Sequence, residues 1–301
     1  YWYSPILKRQ LDHVTGDAVV TVRDEAELLR VVRWAYAHDV PLTVRGGGTG
    51  NYGQAMPLEG GVVLDLSAMT KVKEVTLGKV RVEAGAKIID VDEACRQASG
   101  QELRFHPSTR ATGTIGGYVA GGSSGIGSIT YGLLRDPGNI LAARVVTMEP
   151  EPRVLELRGA EVQKVNHAYG TNGIITELEM PLAPAHPWRE VVVAFDDFMA
   201  ACRWADEVAK MDGLTKKLVC VLPAPIAGRW VMPELAGEGD HLVLLMVADT
   251  MARIFRDHVA ATAPGARVLM DVAEAERAEG ALPLYEYTWN HTTLHCLKHT
   301  R

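Results

Sequence analysis

Thirteen of the chain's 29 glycines fall in two short stretches, five within Gly46–Gly53 and eight between Gly113 and Gly132. Glycine has no Cβ, so a run of it lets backbone approach another segment or a ligand more closely than any other residue allows. Low-complexity linkers would add Ser, Pro and Gln and show little apolar periodicity around them. Here apolar segments flank both clusters. The 301 residues are 47% hydrophobic and 23% charged, which suits a globular chain of two domains or one large one.

Several function classes drop out. The net charge of −6 gives no basic field for nucleic acid. The longest apolar run, Leu242–Ala248, falls far short of the roughly 20 residues of a membrane span. No basic, then apolar, then small-residue leader opens the sequence. Cys95, Cys202, Cys220 and Cys296 are widely separated and form no CxxC pair, which reads as reduced thiols in a cytoplasmic protein. The sequon Asn290-His291-Thr292 is set aside for want of a secretion signal.

Along the chain, Asp17–Val22 reads as a strand. Asp24 starts a helix as N-cap, with Glu27 as its reciprocal partner. Pro41–Arg45 is a strand running into the first glycine cluster, and Val62–Leu66, Val72–Leu77 and Val80–Ala84 are three more. Ile88–Ala98 is a helix closed by Gly100. After the second cluster come strands Ala142–Met148 and Ile174–Met180. Three prolines within Pro181–Pro187 mark a boundary, giving domains 1–185 and 186–301. Beyond it the order is strand Glu190–Phe195, helix Asp197–Lys210, strands Lys217–Leu222 and His241–Ala248, helix Thr250–Thr262 and strand Arg267–Val272. Two successive β-α-β units point to an α+β, ferredoxin-like lobe.

Two motifs fail on context. Gly48-Thr49-Gly50-Asn51-Tyr52-Gly53 satisfies GxGxxG, but Pro57 and Gly60-Gly61 break the helix that a Rossmann site needs there. Gly121-Gly122-Ser123-Ser124-Gly125 satisfies GxSxG, but the following Ile126–Thr130 is too rich in glycine and β-branched residues for the helix of a nucleophile elbow. One reading accounts for both clusters. Arg45–Asn51 and His106–Gly117 each offer bare backbone whose amides can fold into a nest for an anion such as pyrophosphate. Two such cradles suit a long dinucleotide.

The ordered set Pro41–Gly50, Val63–Ser67, Val82–Gly85, Gly113–Gly117, Tyr131-Gly132 and Tyr169–Glu177 resembles the flavin-binding oxidoreductases of the vanillyl-alcohol oxidase and p-cresol methylhydroxylase (PCMH) type. The resemblance covers about residues 15–182 and is nearest to the D-lactate and glycolate dehydrogenase branch. It implies a two-subdomain PCMH-type FAD-binding domain followed by an α+β cap. It also implies FAD held by Arg45, Gly46, Gly47, Gly48, Thr49, Gly50, Asn51 and Gly53 at the pyrophosphate. His106, Pro107, Ser108, Thr109, Gly113, Thr114, Ile115, Gly116 and Gly117 would serve the diphosphate and ribityl region. Gly121, Gly122, Gly125 and Ile126 would run beside the isoalloxazine, and Gly173 and Ile174 would meet the adenine end. Covalent members attach flavin through a His near the first glycine run; here that stretch reads Thr49-Gly50-Asn51, so noncovalent FAD is expected. Family members continue past their cap, so the cap is expected to be truncated at its C-terminal end.

The chemistry implied is hydride transfer from a small 2-hydroxy acid or other alcohol to flavin N5. Sugar or alditol oxidation on the same scaffold, and a flavin-binding subunit without turnover, are the alternatives. His291, in the aromatic segment Tyr285–His295, is the candidate base, since imidazole titrates near neutrality. Tyr131 is the second candidate for substrate contact. His291, His295 and His299 are spaced four apart, but no HExxH or carboxylate accompanies them, so no metal is assigned. The electron acceptor is not legible in the sequence.

Overall fold

The structure is a computed structural model and describes residues 5–288. The chain divides into two compact units, one of residues 1–125 and 133–185, the other of residues 126–132 and 186–301.

The first unit opens with α1 (Pro5–Leu11) and β1 (Ala18–Thr21). In α2 (Glu25–Ala37) the Asp24 carboxylate accepts from the Glu27 N–H, while Glu27 reaches back to the Arg23 N–H, one residue earlier than a reciprocal cap requires. Leu28, Val32 and Ala35 bury the apolar stripe of this helix. β2 (Leu42–Arg45) and β3 (Val62–Asp65) join β1 in a parallel sheet of order β1-β3-β2, and Leu28 and Val32 pack with Leu64 of β3. The glycine run leaves the carboxyl end of β2, where open parallel sheets bind their ligands.

A second sheet follows. β4 (Val72–Thr76), β5 (Lys79–Glu83), α3 (Ile88–Ser99), β6 (Gln101–Leu103) and α4 (Ile115–Gly121) come before the chain enters the other unit at α5 (Ser128–Tyr131). It returns with β7 (Ala142–Val146), β8 (Val154–Arg158) and β9 (Ile174–Pro184). The antiparallel order is β4-β5-β9-β7-β8, with β6 also on β9. Gly100 ends α3 as expected, at φ 63° with its N–H on the Arg96 carbonyl.

Three departures from the sequence reading have physical causes. β9 does not stop at Met180. Pro181 lies opposite Lys79, where pairing with β5 runs out, and Leu182–Pro184 then pair with β6, so no ladder N–H is asked of the proline. β6 and β8 form because β9 and β7 offer open edges; three and five residues carry too little alternation to announce themselves. The stretch after Gly113 is not an open backbone nest but the helix α4, capped by the Thr114 hydroxyl on the Gly117 N–H. Its Gly116 lets the helix lie against β5, since a Cβ there would sit 2.6 Å from that of Ala84. Likewise Ser128–Tyr131, read as non-helical, makes the single helical turn α5.

Glu177 and Glu179 share one face of β9, two residues apart. Glu177 is paired with Lys73 and with Arg81 (2.9 Å), and Glu179 with Lys79 and Arg158 (both 3.4 Å). Arg144 on β7 is bidentate to Glu25.

The second unit contains β10 (Trp188–Phe195), α6 (Phe198–Lys210), β11 (Lys216–Leu222), β12 (His241–Ala248), α7 (Ala252–Thr262) and β13 (Arg267–Ala273). The sheet order β11-β12-β10-β13 is antiparallel throughout, the split β-α-β arrangement. Val191, Val193 and Phe195 pack beneath Trp204, Val208 and Phe255 of the two helices. Val192 and Ala194 face the opposite way, toward Ile126, Leu284 and Tyr285. Segment 126–132 is tied to β11, the Gly127 N–H donating to the Lys217 carbonyl and the Thr130 hydroxyl to that of Lys216. Among the described residues no helix is long and apolar enough to cross a membrane.

Candidate cofactor site

The first unit carries a cleft at the carboxyl end of β2. One wall is Val44, Arg45, Gly46, Gly47, Gly48, Thr49 and Gly50, with Gln54 and Ala55 beyond them. The other is Thr114, Gly117, Ala120 and Gly121 of α4 and its cap, with Tyr169 from the loop before β9. The cleft continues over Leu66, Ala84, Gly116, Gly170, Gly173 and Ile175.

The glycines here do different work. A Cβ on Gly46 would overlap the Thr114 hydroxyl, and one on Gly47 would lie 2.5 Å from the Thr112 carbonyl oxygen. Both are bare so that the β2 end can press on the loop before α4. Gly48 holds φ 64°, a left-handed conformation. Gly121 differs: outside its own helix and chain neighbours, no atom of the described residues lies within 4 Å of where its Cβ would stand, and a Cβ on Gly117 would meet only the Thr114 hydroxyl, at 3.0 Å. These two leave room over α4 inside the cleft.

Among the described residues lining the cleft, Arg45 is the single charged side chain and none is a carboxylate. A pyrophosphate needs backbone and cationic donors and no anion beside it. The floor of Val44, Leu66, Ala84, Ala120 and Ile175 is apolar, as ring systems require. The residues present therefore fit FAD.

Of the sequence-derived positions, Arg45, Gly46, Gly47, Gly48, Thr49, Gly50, Thr114, Gly116, Gly117, Gly121 and Gly173 meet in this cleft. The others stand elsewhere. Asn51 is buried with its Oδ1 lacking a hydrogen-bond partner, and Gly53 packs on Leu11 of α1. His106 is buried, its Nδ1 3.0 Å from the Pro107 carbonyl, and is not among the residues that line the cleft. Ser108, Thr109 and Gly113 shape the turn before α4, where the Gly113 N–H bonds to the Thr109 carbonyl. Ile115 is core. Gly122 packs on His167, and a Cβ on Gly125 would lie 2.6 Å from the His106 carbonyl oxygen. The Tyr118 phenol, pushed up by burial and so kept protonated, donates to the Ser124 carbonyl and pins this loop. Ile174 packs with Val22, Leu28 and Leu64. Ile126 is core of the second unit, and Tyr131 ends α5 there. His291 lies outside the described residues.

Sequence reasoning missed Gln54 and Tyr169 as lining residues. Tyr169-Gly170 sits inside the stretch that carried the family likeness, so proximity to Gly173 was the available signal.

Residues 16–156 match the family model for the FAD binding domain. This stretch is similar to an FAD binding domain. The likeness read from the sequence holds, and FAD is the cofactor of this domain. An uncharacterized FAD-linked oxidoreductase of Mycobacterium tuberculosis is 30% identical over 191 residues, covering 58% of this chain and 40% of that one. A D-lactate dehydrogenase of Archaeoglobus fulgidus is 25% identical over 244 residues, 75% of this chain and 53% of that one. The glycolate oxidase subunit GlcD of Bacillus subtilis is 27% identical over 205 residues, 64% and 42%. The chain thus spans 40% to 53% of the length of these relatives. An alkyldihydroxyacetonephosphate synthase has a similar fold, with a TM-score of 0.68 at 20% identity over 84% of this chain and 51% of that one.

Proposed function

We propose that this protein is an FAD-dependent oxidoreductase acting on a small 2-hydroxy acid of the lactate or glycolate kind, or on another small alcohol. The observation that carries the reading is the cleft, whose described residues set a glycine edge and the Arg45 guanidinium, with no carboxylate among them, above an apolar floor. The curated relatives named for lactate and glycolate chemistry support the substrate class.

FAD, when bound, supplies the acceptor for a hydride taken from the carbon that bears the hydroxyl. The chain's own residues bind and orient. Arg45 and the amides of Gly46–Gly50 hold the diphosphate charge, and Gly117 and Gly121 keep the helix surface bare for close approach. Binding is noncovalent in this reading, because no His follows the glycine run and the His106 ring is turned onto the Pro107 carbonyl. His291 takes the hydroxyl proton and Tyr131 contacts the substrate, both on the argument from sequence. The separated cysteines favour a cytoplasmic home.

The test is spectroscopic. Purified protein reconstituted with FAD should show the flavin absorbance band, and anaerobic D-lactate or glycolate should bleach it. Failure to take up FAD would sink the whole reading. Bleaching by sugar alcohols alone would move the substrate class.

A further inference from the structure

In the loop before β9 two residues other than glycine hold left-handed backbone, His167 at φ 57° and Tyr169 at φ 52°. His takes this conformation more readily than most residues, but for the bulky Tyr169 it is a true outlier, and such strain persists only where the surroundings over-determine it. Here they do. The His167 N–H donates to the Val119 carbonyl and the Tyr169 N–H to that of Ala120, both at 3.0 Å, so the loop is laced to the end of α4. Gly122 is bare where His167 presses on it. The outcome is one side-chain pair: His167 Nε2 lies 2.8 Å from the Tyr169 hydroxyl, with the rings edge to face at 5.2 Å.

Tyr169 lines the cleft that holds Gly46, Thr114 and Gly117, and it borders both parts of that cleft. It is 41% exposed and is the one aromatic among the described residues that line the cleft. A large ring left uncovered at a cofactor cleft, on backbone strained to keep it there, has the features of a stacking wall.

We propose that Tyr169 contacts a planar ring of the bound dinucleotide and that His167 is a positioning residue, fixing the tyrosine through its hydroxyl. This rests on the reading of the cleft as the FAD site. It assigns to the cleft an aromatic determinant of affinity supplied by the 167–169 loop.

The test is a titration of the full chain, freed of flavin, with FAD, followed by flavin fluorescence. Tyr169→Ala should weaken binding by at least about tenfold, the loss of a stacked aromatic. Tyr169→Phe and His167→Asn should each weaken it by about fivefold, the effect of one lost hydrogen bond. Asn is chosen because it tolerates left-handed backbone. The double variant should be no weaker than either single, since both remove the same bond. Melting temperatures without flavin should stay together, because the two side chains are exposed, which separates this role from a structural one. Wild-type affinity in Tyr169→Ala, or full additivity of the two milder changes, would overturn the proposal while leaving the FAD reading intact. A wild-type chain that takes no FAD would overturn both.

Discussion

Gly46 and Thr114 stand so close that any side chain on the glycine would run into the threonine hydroxyl. That hydroxyl also caps α4. One contact therefore joins the end of β2 to the start of the helix across from it, and the two glycine clusters become walls of one cleft.

Gly46→Ala should cost about 1–3 kcal/mol by overpacking, read as a lower urea midpoint. Thr114→Ala should cost about 1 kcal/mol through the lost cap. In the double variant the clash is relieved, so the two costs should add to less than their sum. Strict additivity would mean the contact is not the source of the penalty.

Gly121→Ala should behave oppositely for stability and binding. Nothing in the protein opposes the new methyl, and alanine favours helix over glycine by up to about 1 kcal/mol. Without flavin the variant should melt at or above the wild type. With FAD it should gain less in melting temperature than the wild type does, because the methyl enters the cleft. An equal FAD-induced shift in both proteins would show that Gly121 does not face the cofactor.

The carboxylates of β9 should make the first unit sensitive to acid. Burial works to raise Glu177 and Glu179, but hydrogen bonds from Lys73 and Arg81 on one, and from Arg158 and Lys79 on the other, outweigh it and hold both below the usual carboxylate range. A lowered folded value means the unfolded chain takes up protons first as the pH falls. The stabilisation is complete above the ordinary carboxylate value of about 4.3 and is lost as the pH drops through the lower folded values. Urea midpoints should fall as the pH drops below about 4.3, and fall less steeply in Glu177→Gln. Parallel curves for the two proteins would remove Glu177 as a cause.

In the second unit Glu190 is buried and receives both Arg277, bidentate at 2.6 and 3.0 Å, and the Leu284 N–H. Arg277→Ala strands that charge and should cost about 3–5 kcal/mol in chemical denaturation. Glu190→Gln with Arg277→Met, which removes both charges, should recover much of the loss. No recovery would place the penalty in packing instead.

The sequence by itself determined what is encoded within a few residues. The Asp24 cap, the Gly100 stop and the apolar runs of β3, β10 and β12 are local signals, and they fall where chain geometry places the elements. The ordered glycine motifs determined the likeness to an FAD binding domain. Tertiary structure decided what each glycine is for. Gly46, Gly47 and Gly116 are bare because other protein segments press on them, whereas Gly121 is bare over open cleft, and only the atoms opposite distinguish the two cases. It also decided that β9 runs through Pro181, because a change of partner strand excuses the missing N–H, and that Tyr169 turns left-handed at the cleft, because α4 holds the loop there. Each of these depends on contacts between segments far apart in the chain, and no local window of sequence contains both partners.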